Sequence, residues 1–505
     1  MKAVKNKHSL PSGAIRSRYF SSIIGKTLFL STLCLGLTAR ATWGQVSNSP
    51  NPVHGLSHSL YSKLHDISKV TTPIMIANGD FGEDESFGYN PNDWPSYNHD
   101  ALGTRYNTVE RKLSPKTVQQ LKVKWTYTTE GNVNATPIVV DHKVYAGDTS
   151  GNFYALSQTG QLLWKTKVNG SVTASALVTP NRIIFGDLSG YIYGLDRQTG
   201  KIIWTIRPNQ YQNAQVWGSP TLVGRYAVIG IASDRGSAVL LDPNNGAVVW
   251  QTYTISPEEA SKGSTGAPIW STPTYDATTG KIYVTTGDNY TEPATATSDA
   301  FIALNARTGA IVWQHQLVAN DAGDNSPDVD FGDSPQIYRL LNGKLVVGAG
   351  SKNGVYYVLD AATGTLVNQY TAEPQCQPPL GLFADSAVAK GVVYANGNNC
   401  SPQGELIAIN GDGSGEKWRF TSTLGSAALS GVAVANGVVY FQVINANGGS
   451  LYAIDASNGK KLAELPISTA ASGPSVVDGQ VYLGTGLTDP PFISTQSGSI
   501  IAFGL

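Results

Sequence analysis

A hairpin phrase that returns eight times constrains this chain more than any other feature. It runs from Gly through an alternating apolar strand closing on Leu-Asp or a variant, then a Gly-bearing turn, then a strand closing on Trp. GNFYALSQTGQLLW (151–164), GYIYGLDRQTGKIIW (190–204), GSAVLLDPNNGAVVW (236–250) and DAFIALNARTGAIVW (299–313) carry it most fully. GVYYVLDAATGTLVN (354–368), GELIAINGDGSGEKW (404–418) and GSLYAIDASNGKKLA (449–463) follow, and GSIIAFGL (498–505) is a shortened eighth copy. The T-G or N-G pair supplies a residue that tolerates positive φ between two alternating strands, which is the signature of a hairpin.

Before most of these hairpins lies another strand pair, as in ATPIVVDHKVYAGDT (135–149) and GPSVVDGQVYLGTG (473–486). Two pairs make a four-stranded unit, and units recurring every 40 to 60 residues or so mean a propeller. The expected fold is all-β, an eight-bladed β-propeller of four-stranded antiparallel blades. LKVKWTY (121–127) is a lone Trp-bearing strand near the start, and the eighth copy lacks its outer strand. Pairing the two closes the ring in one blade built from both chain ends and leaves no sheet edge open. A solenoid would not explain such complementary ends. The repeated Trp164, Trp204, Trp250, Trp313 and Trp418 then pack between blades. Composition agrees: 54 glycines, 2 methionines and only 14% charged residues suit short strands and tight turns.

The first residues have the form of an export signal. Lys2, Lys5, Lys7, Arg16, Arg18 and Lys26 precede an apolar run, Thr27 to Thr38, which is too short to span a bilayer, and Ala39-Arg40-Ala41 has the small-x-small form of a cleavage site. The expected division is a signal peptide over 1–41, a linker or disordered arm over 42–89, and a propeller over 90–505; an uncleaved anchor is the alternative for the first segment. No second segment is long enough to span a membrane. Removing 1–41 takes away seven basic and no acidic residues, so 28 Lys and Arg face 36 Asp and Glu and the net charge becomes −8. That balance argues against nucleic acid as a partner. Cys376 and Cys400 survive cleavage. In an oxidising compartment they can form a disulfide worth about 3 kcal/mol, or stand as two free thiols. No CxxCH occurs, so there is no c-type haem attachment.

A propeller needs only its repeats, so departures from them are candidates for function. Three fall between Ile231 and Asn353. GSTGAPIWSTPTYD (263–276) places Trp270 outside the hairpin phrase. TTGDNY (285–290) offers Asp288 and Asn289 after a strand, and DAGDNSPDVDFGDSP (321–335) holds five aspartates. Such loops can hold a hard cation such as Ca2+ or be solvated turns.

DWPSYNHDALGTRYN (93–107), LSPKTVQQLKVKW (113–125), NATPIVVD (134–141), GAPIWSTPTYD, TTGDNY, DVDFGDSP and GAGSKNGVYYVLD (348–360) resemble segments of the pyrroloquinoline-quinone (PQQ) dependent dehydrogenases, in the pattern of the polyvinyl alcohol dehydrogenase-like branch. The resemblance covers about Asp93 to the C-terminus, with DWPSYNHD placed as the lead-in to the first blade. It implies PQQ on the propeller axis with Ca2+ beside it. Trp270 matches the indole under the quinone, Asp330 the general base and metal neighbour, and Lys352 the cation beside the quinone oxygens. Asp288 takes the place of a metal-ligating Asn, and Asp234 lies near that of a ligating Glu. Asn134 and Thr173 are assigned to the cofactor, Asn134 standing where other members carry an acidic residue. The adjacent-cysteine pair of the methanol- and ethanol-oxidising members is missing. In LGLFADSAV (380–388) Phe383 stands where the branch commonly has a Trp. The implied function is a periplasmic or secreted quinoprotein oxidising an alcohol, secondary or polymeric in kind, and passing electrons to a separate cytochrome c or other acceptor. Two other readings stay open: a non-catalytic PQQ-like scaffold in the cell envelope, and a polymer-binding propeller.

Overall fold

The structure, a computed structural model, describes residues 89–319, 322–323, 328–373, 381–398, 403–423, 427–445, 448–469, 472–486 and 498–505. The leader and nearly all of the arm, together with Cys376 and Cys400, lie outside these residues. Eight four-stranded antiparallel blades form a ring. In the first, Ile138–Val140 is innermost, followed outward by Lys143–Gly147, Asn152–Ser157 and Leu162–Lys167. The three inner strands are almost wholly buried and the outermost alternates. Blades press on both faces of the inner strands, so those strands are apolar on both faces, whereas the outermost meets water on one side. Ser475–Val477, Gln480–Thr485 and Ser499–Gly504 build the eighth blade, and Lys122–Thr128 completes it by pairing antiparallel with Ser499–Gly504. The ring closes as its sequence anticipates.

The segment 93–107 does something the sequence does not announce. Instead of leading into the first blade, it makes one turn round the axis and bonds to the innermost strands as it passes. Trp94 exchanges backbone hydrogen bonds with Val139 of the first blade (2.7 and 3.0 Å), and Pro95 accepts from Val178 of the second (2.9 Å). Ala101, Leu102, Thr104 and Arg105 then accept in order from Tyr275, Ile337, Val388 and Val434 of the fourth to seventh blades, at 2.7 to 2.9 Å. Asn107 Nδ2 reaches Val476 O of the eighth at 2.9 Å. The fully buried Arg105 guanidinium bonds to the carbonyls of Val432, Tyr97 and Pro474.

Next to this plug a belt of side-chain acceptors ties each blade to the following one from the second to the sixth. The Ser175 amide donates to Ser219 Oγ (3.0 Å), Ser219 to Thr272 Oγ1 (3.1 Å), Thr272 to Ser334 Oγ (3.0 Å), and Ser334 to Asp385 Oδ1 (2.8 Å). The plug and belt meet where Tyr97 OH donates to Asp385 Oδ2.

At the outer rim, each repeat Trp lies on the turn glycine of the next blade. Trp204 covers Gly246, whose φ is +74° and where a Cβ would stand 2.6 Å from the indole. Trp125, Trp164, Trp250, Trp313 and Trp418 stand in the same relation to Gly160, Gly200, Gly309, Gly364 and Gly459. Trp125 belongs to the eighth blade and Gly160 to the first, so this clasp also closes the ring. Asn368 replaces Trp against Gly413. Ala463 replaces it where the eighth blade has no such turn, and the short turn Val118–Gln120 lies against its strand instead. The Trp204 indole N–H also donates to Pro243 O at 2.9 Å. Replacing Trp204, only 8% exposed, by Ala should lower the unfolding free energy by about 3–5 kcal/mol in guanidinium denaturation. Gly246→Ala should cost about 1–3 kcal/mol by overpacking the same contact. Midpoints unchanged in both variants would remove the clasp as a stabilising element.

Candidate active site

In the second, fourth, fifth and sixth blades the plug-bonded residue, the belt residue and one further position follow in order toward the N-terminus. Two residues before the belt stand Thr173, Trp270, Gly332 and Phe383 in the second, fourth, fifth and sixth blades, and Asn134 has the corresponding place in the first, two before Thr136, whose hydroxyl makes no belt bond among the described residues. In each of these blades the residue between this position and the belt is a bend in the chain. Trp270 precedes the strand Thr274–Asp276, Asp288 follows Lys281–Thr285, Asp330 precedes Gln336–Arg339, and Lys352 follows Leu345–Gly350. The fold thus brings four of the expected residues to one place.

Their contacts are close. Lys352 Nζ lies 2.5 Å from Asp330 Oδ1 and 2.6 Å from Asp328 Oδ1. The same ammonium is 4.9 Å from the Trp270 ring centroid and 5.9 Å from that of Phe383. Trp270 Nε1 donates to Asp330 Oδ2 at 3.1 Å, and the Lys352 amide donates to Asp330 O at 3.0 Å. Two glycines make room for this. A Cβ at Gly287 would meet Asp330 Oδ2 at 2.6 Å and Trp270 Nε1 at 3.0 Å. At Gly332 it would meet Phe383 O at 2.2 Å and the Trp270 ring at 2.8 Å.

Asp288, Asp328 and Asp330 each present an oxygen within 4.8 Å of the others. Asp288 Oδ1 is buried and has no hydrogen-bond partner. Burial, then the charges of Asp330 and Asp328, hold the Asp288 carboxyl well above the usual range. Burial likewise pushes Asp330 up to about 6, with Lys352 working against it. Burial disfavours the Lys352 ammonium, but Asp328, Asp330 and Asp288 outweigh this and hold its pKa above that of a free lysine. Three carboxylates against one ammonium leave an excess of negative charge in a site with little water, which favours either protons or a cation.

Asn134 Oδ1 and Thr173 Oγ1 are also buried and lack partners, although both residues keep some exposed surface. Asp234 does not join the three-carboxylate group. Its Oδ1 accepts from Asn213 Nδ2 at 2.7 Å. It shares a neighbour with the group, since burial and the charges of Asp288, Asp234 and Asp330 all raise the Tyr290 phenol. Cys376 and Cys400 lie outside the described residues. Asp328, Gly287 and Gly332 were not singled out from sequence. The Asp-x-Asp spacing at 328–330, which sets both carboxylates on one face of an extended chain, is the signal that could have found the first.

Comparison with known proteins follows the same lines. The chain is 26% identical to the "Polyvinylalcohol dehydrogenase" of Pseudomonas sp. over 78% of its own length and 73% of that protein's. It is 26% identical to the protein of the same name from Sphingopyxis sp. (strain 113P3), over 54% of its own length and 49% of that relative's, so it spans about half of the latter. The solved quinohemoprotein alcohol dehydrogenase from Comamonas testosteroni superposes with a TM-score of 0.69 at 19% identity, covering 82% of this chain and 80% of that one, which establishes the shared fold. A family model matches residues 118–291 and 260–502. The chain therefore belongs to the PQQ_2 family, described as outer membrane protein assembly factor BamB.

Proposed function

We propose that this protein is a quinoprotein dehydrogenase that oxidises an alcohol with PQQ and Ca2+. The observation that carries the reading is the Asp330 carboxylate, buried between Lys352 and the Trp270 N–H, next to an Asp288 oxygen that has no hydrogen-bond partner among the described residues. A scaffold would have no use for so costly an arrangement. The residues suit both groups. Asp288, Asp328 and Asp330 offer the oxygen ligands a hard dication takes. Trp270 offers a flat indole face to a planar ring, while Asn134 and Thr173 offer unused polar atoms at the same level of the axis.

When bound, PQQ would supply the electron sink for the hydride equivalent removed from the alcohol carbon. Asp330 takes the hydroxyl proton as general base. Lys352 holds positive charge where oxygens become negative and orients Asp330 through their ion pair. Trp270 fixes the other Asp330 oxygen and excludes water beneath the ring. The basic and apolar leader, with its Ala39-Arg40-Ala41 site, supports export to the periplasm or beyond, and no helix among the described residues is long and apolar enough to cross a membrane. Electrons then pass to a separate acceptor, for which a cytochrome c is the candidate. The polyvinylalcohol dehydrogenase relatives favour a secondary or polymeric alcohol as substrate. The family description favours the second reading, a protein-interaction scaffold of the cell envelope.

Purified protein given PQQ and Ca2+ should show bound-quinone absorbance and reduce a dye with one or more of a panel of alcohols; no binding at micromolar PQQ would leave the scaffold reading. Asp330→Asn should keep PQQ and lower kcat by about a hundred- to ten-thousandfold. Retained turnover would remove Asp330 from the role of base. Gly287→Ala should lose PQQ while remaining folded, since its Cβ displaces the Asp330–Trp270 contact. Full PQQ content in that variant would show that the contact does not shape the cofactor site. Ca2+ binding must displace protons held by Asp330 and Asp288. With Asp330 at about 6 and Asp288 raised, affinity measured by calorimetry should weaken as pH falls, by about tenfold per pH unit for each proton displaced and so by about a hundredfold per unit below pH 6, where both carboxyls hold one. A flat profile from pH 5 to 8 would show that these carboxyls are not ligands.

A further inference from the structure

The ring level that carries Asn134, Thr173, Trp270 and Phe383 has one more aromatic occupant. In the third blade the belt residue is Ser219, which accepts from Ser175 and donates to Thr272 Oγ1. Two residues before it stands Trp217, in the relation Trp270 bears to Thr272 and Thr173 bears to Ser175. The following residue, Gly218, touches the neighbouring backbone, since a Cβ there would lie 2.3 Å from Ser271 O and 3.2 Å from Trp270 O. The backbones that carry Trp217 and Trp270 therefore run side by side in adjacent lead-ins.

Trp217 differs from the clasp tryptophans. It rests on no turn glycine, and among the described residues it has no aromatic neighbour in ring contact. It is half-buried, and its indole N–H is taken by Gln215 Oε1 at 2.9 Å. Gln215 is itself pinned by a backbone bridge to Ala232 (2.8 and 2.9 Å). The indole is thus oriented by its polar edge while part of its apolar surface remains uncovered. Large apolar side chains that stay partly open at a concave, otherwise polar site are what ligand recognition uses. Around this arc the level changes from polar Thr173, through Trp217 and Trp270, to Gly332 and Phe383. In blade order Trp217 thus stands between Thr173 and Trp270.

We propose that Trp217 is a second aromatic wall of the cofactor site, flanking the planar ring held over Trp270. This rests on the reading of the site as one for PQQ. The test is equilibrium binding of PQQ in the presence of Ca2+, followed by quenching of intrinsic fluorescence and by quinone absorbance, with no turnover required. Trp217→Ala should weaken PQQ by about tenfold or more, and Trp217→Phe should restore binding to within about threefold of the parent, because an aromatic face and not the N–H makes the contact. The guanidinium midpoint of both variants should match the parent, since Trp217 clasps no neighbouring blade. Equal PQQ affinity in Trp217→Ala and parent would overturn the assignment, as would a loss that Trp217→Phe fails to restore. A parent chain that binds no PQQ would sink the cofactor reading and this inference together, whereas failure of Trp217 alone leaves the former standing.

Discussion

Eight blades set in a ring face each other across an axis that none of them fills. The backbone of each innermost strand would have donors and acceptors turned toward that axis with nothing to meet them, and buried groups of that kind are expensive to leave unpaired. The single turn of 93–107 meets that need for seven of the eight strands. Because the same short segment bonds to them in chain order, it also fixes how far each blade is rotated relative to the next. The belt from Ser175 to Asp385 repeats that constraint one pleat higher. What lies above the belt inherits its precision: Trp270, Asp330 and Lys352 belong to lead-ins and loops, yet their backbones leave strands that plug and belt have already placed.

The outer rim is held by a different interaction, and that one was legible. Trp and turn Gly recur together because the indole of one blade needs the missing Cβ of the next. Trp and Gly both appear in every full phrase, so the packing of Trp between blades was legible, whereas the closed ring followed from the complementary chain ends. Trp125 fits the same rule, which is why the eighth blade could be assembled from both ends of the chain. The plug was not legible. DWPSYNHDALGTRYN has neither strand alternation nor a turn pattern, and its hydrogen bonds run to residues hundreds of positions away. A lead-in to the first blade was the natural reading, since only Trp94 and Pro95 contact blades near it in sequence.

The site was half legible for a related reason. Trp270, Asp288, Asp330 and Lys352 stood out because they interrupt a repeat, and the fold brings all four together. Asp328 was hidden in a loop where aspartates are common for local reasons. Gly287 and Gly332 looked like ordinary turn glycines, although what demands them is a contact with Asp330, Trp270 and Phe383 rather than positive φ. Trp217 was hidden by the repeats themselves. VWGSPTLV (216–223) reads as one more blade lead-in, and only the belt shows that its second residue shares a level with Trp270.

Charge ties these observations together. Lys352 bears against two carboxylates, and Asp288 adds a third whose free oxygen finds no donor. One ammonium cannot balance three carboxylates in a buried site, so the protein alone either retains a proton, held most firmly by Asp288, or accepts a cation. A carboxyl that retains its proton cannot act as a base. A dication among the three oxygens removes that conflict, since it brings the local charge to neutrality and leaves Asp330 ionised with Lys352 at its side. Under the proposed reading, the aspartate at 288, in place of a neutral amide, adds the third negative charge that such a dication would offset.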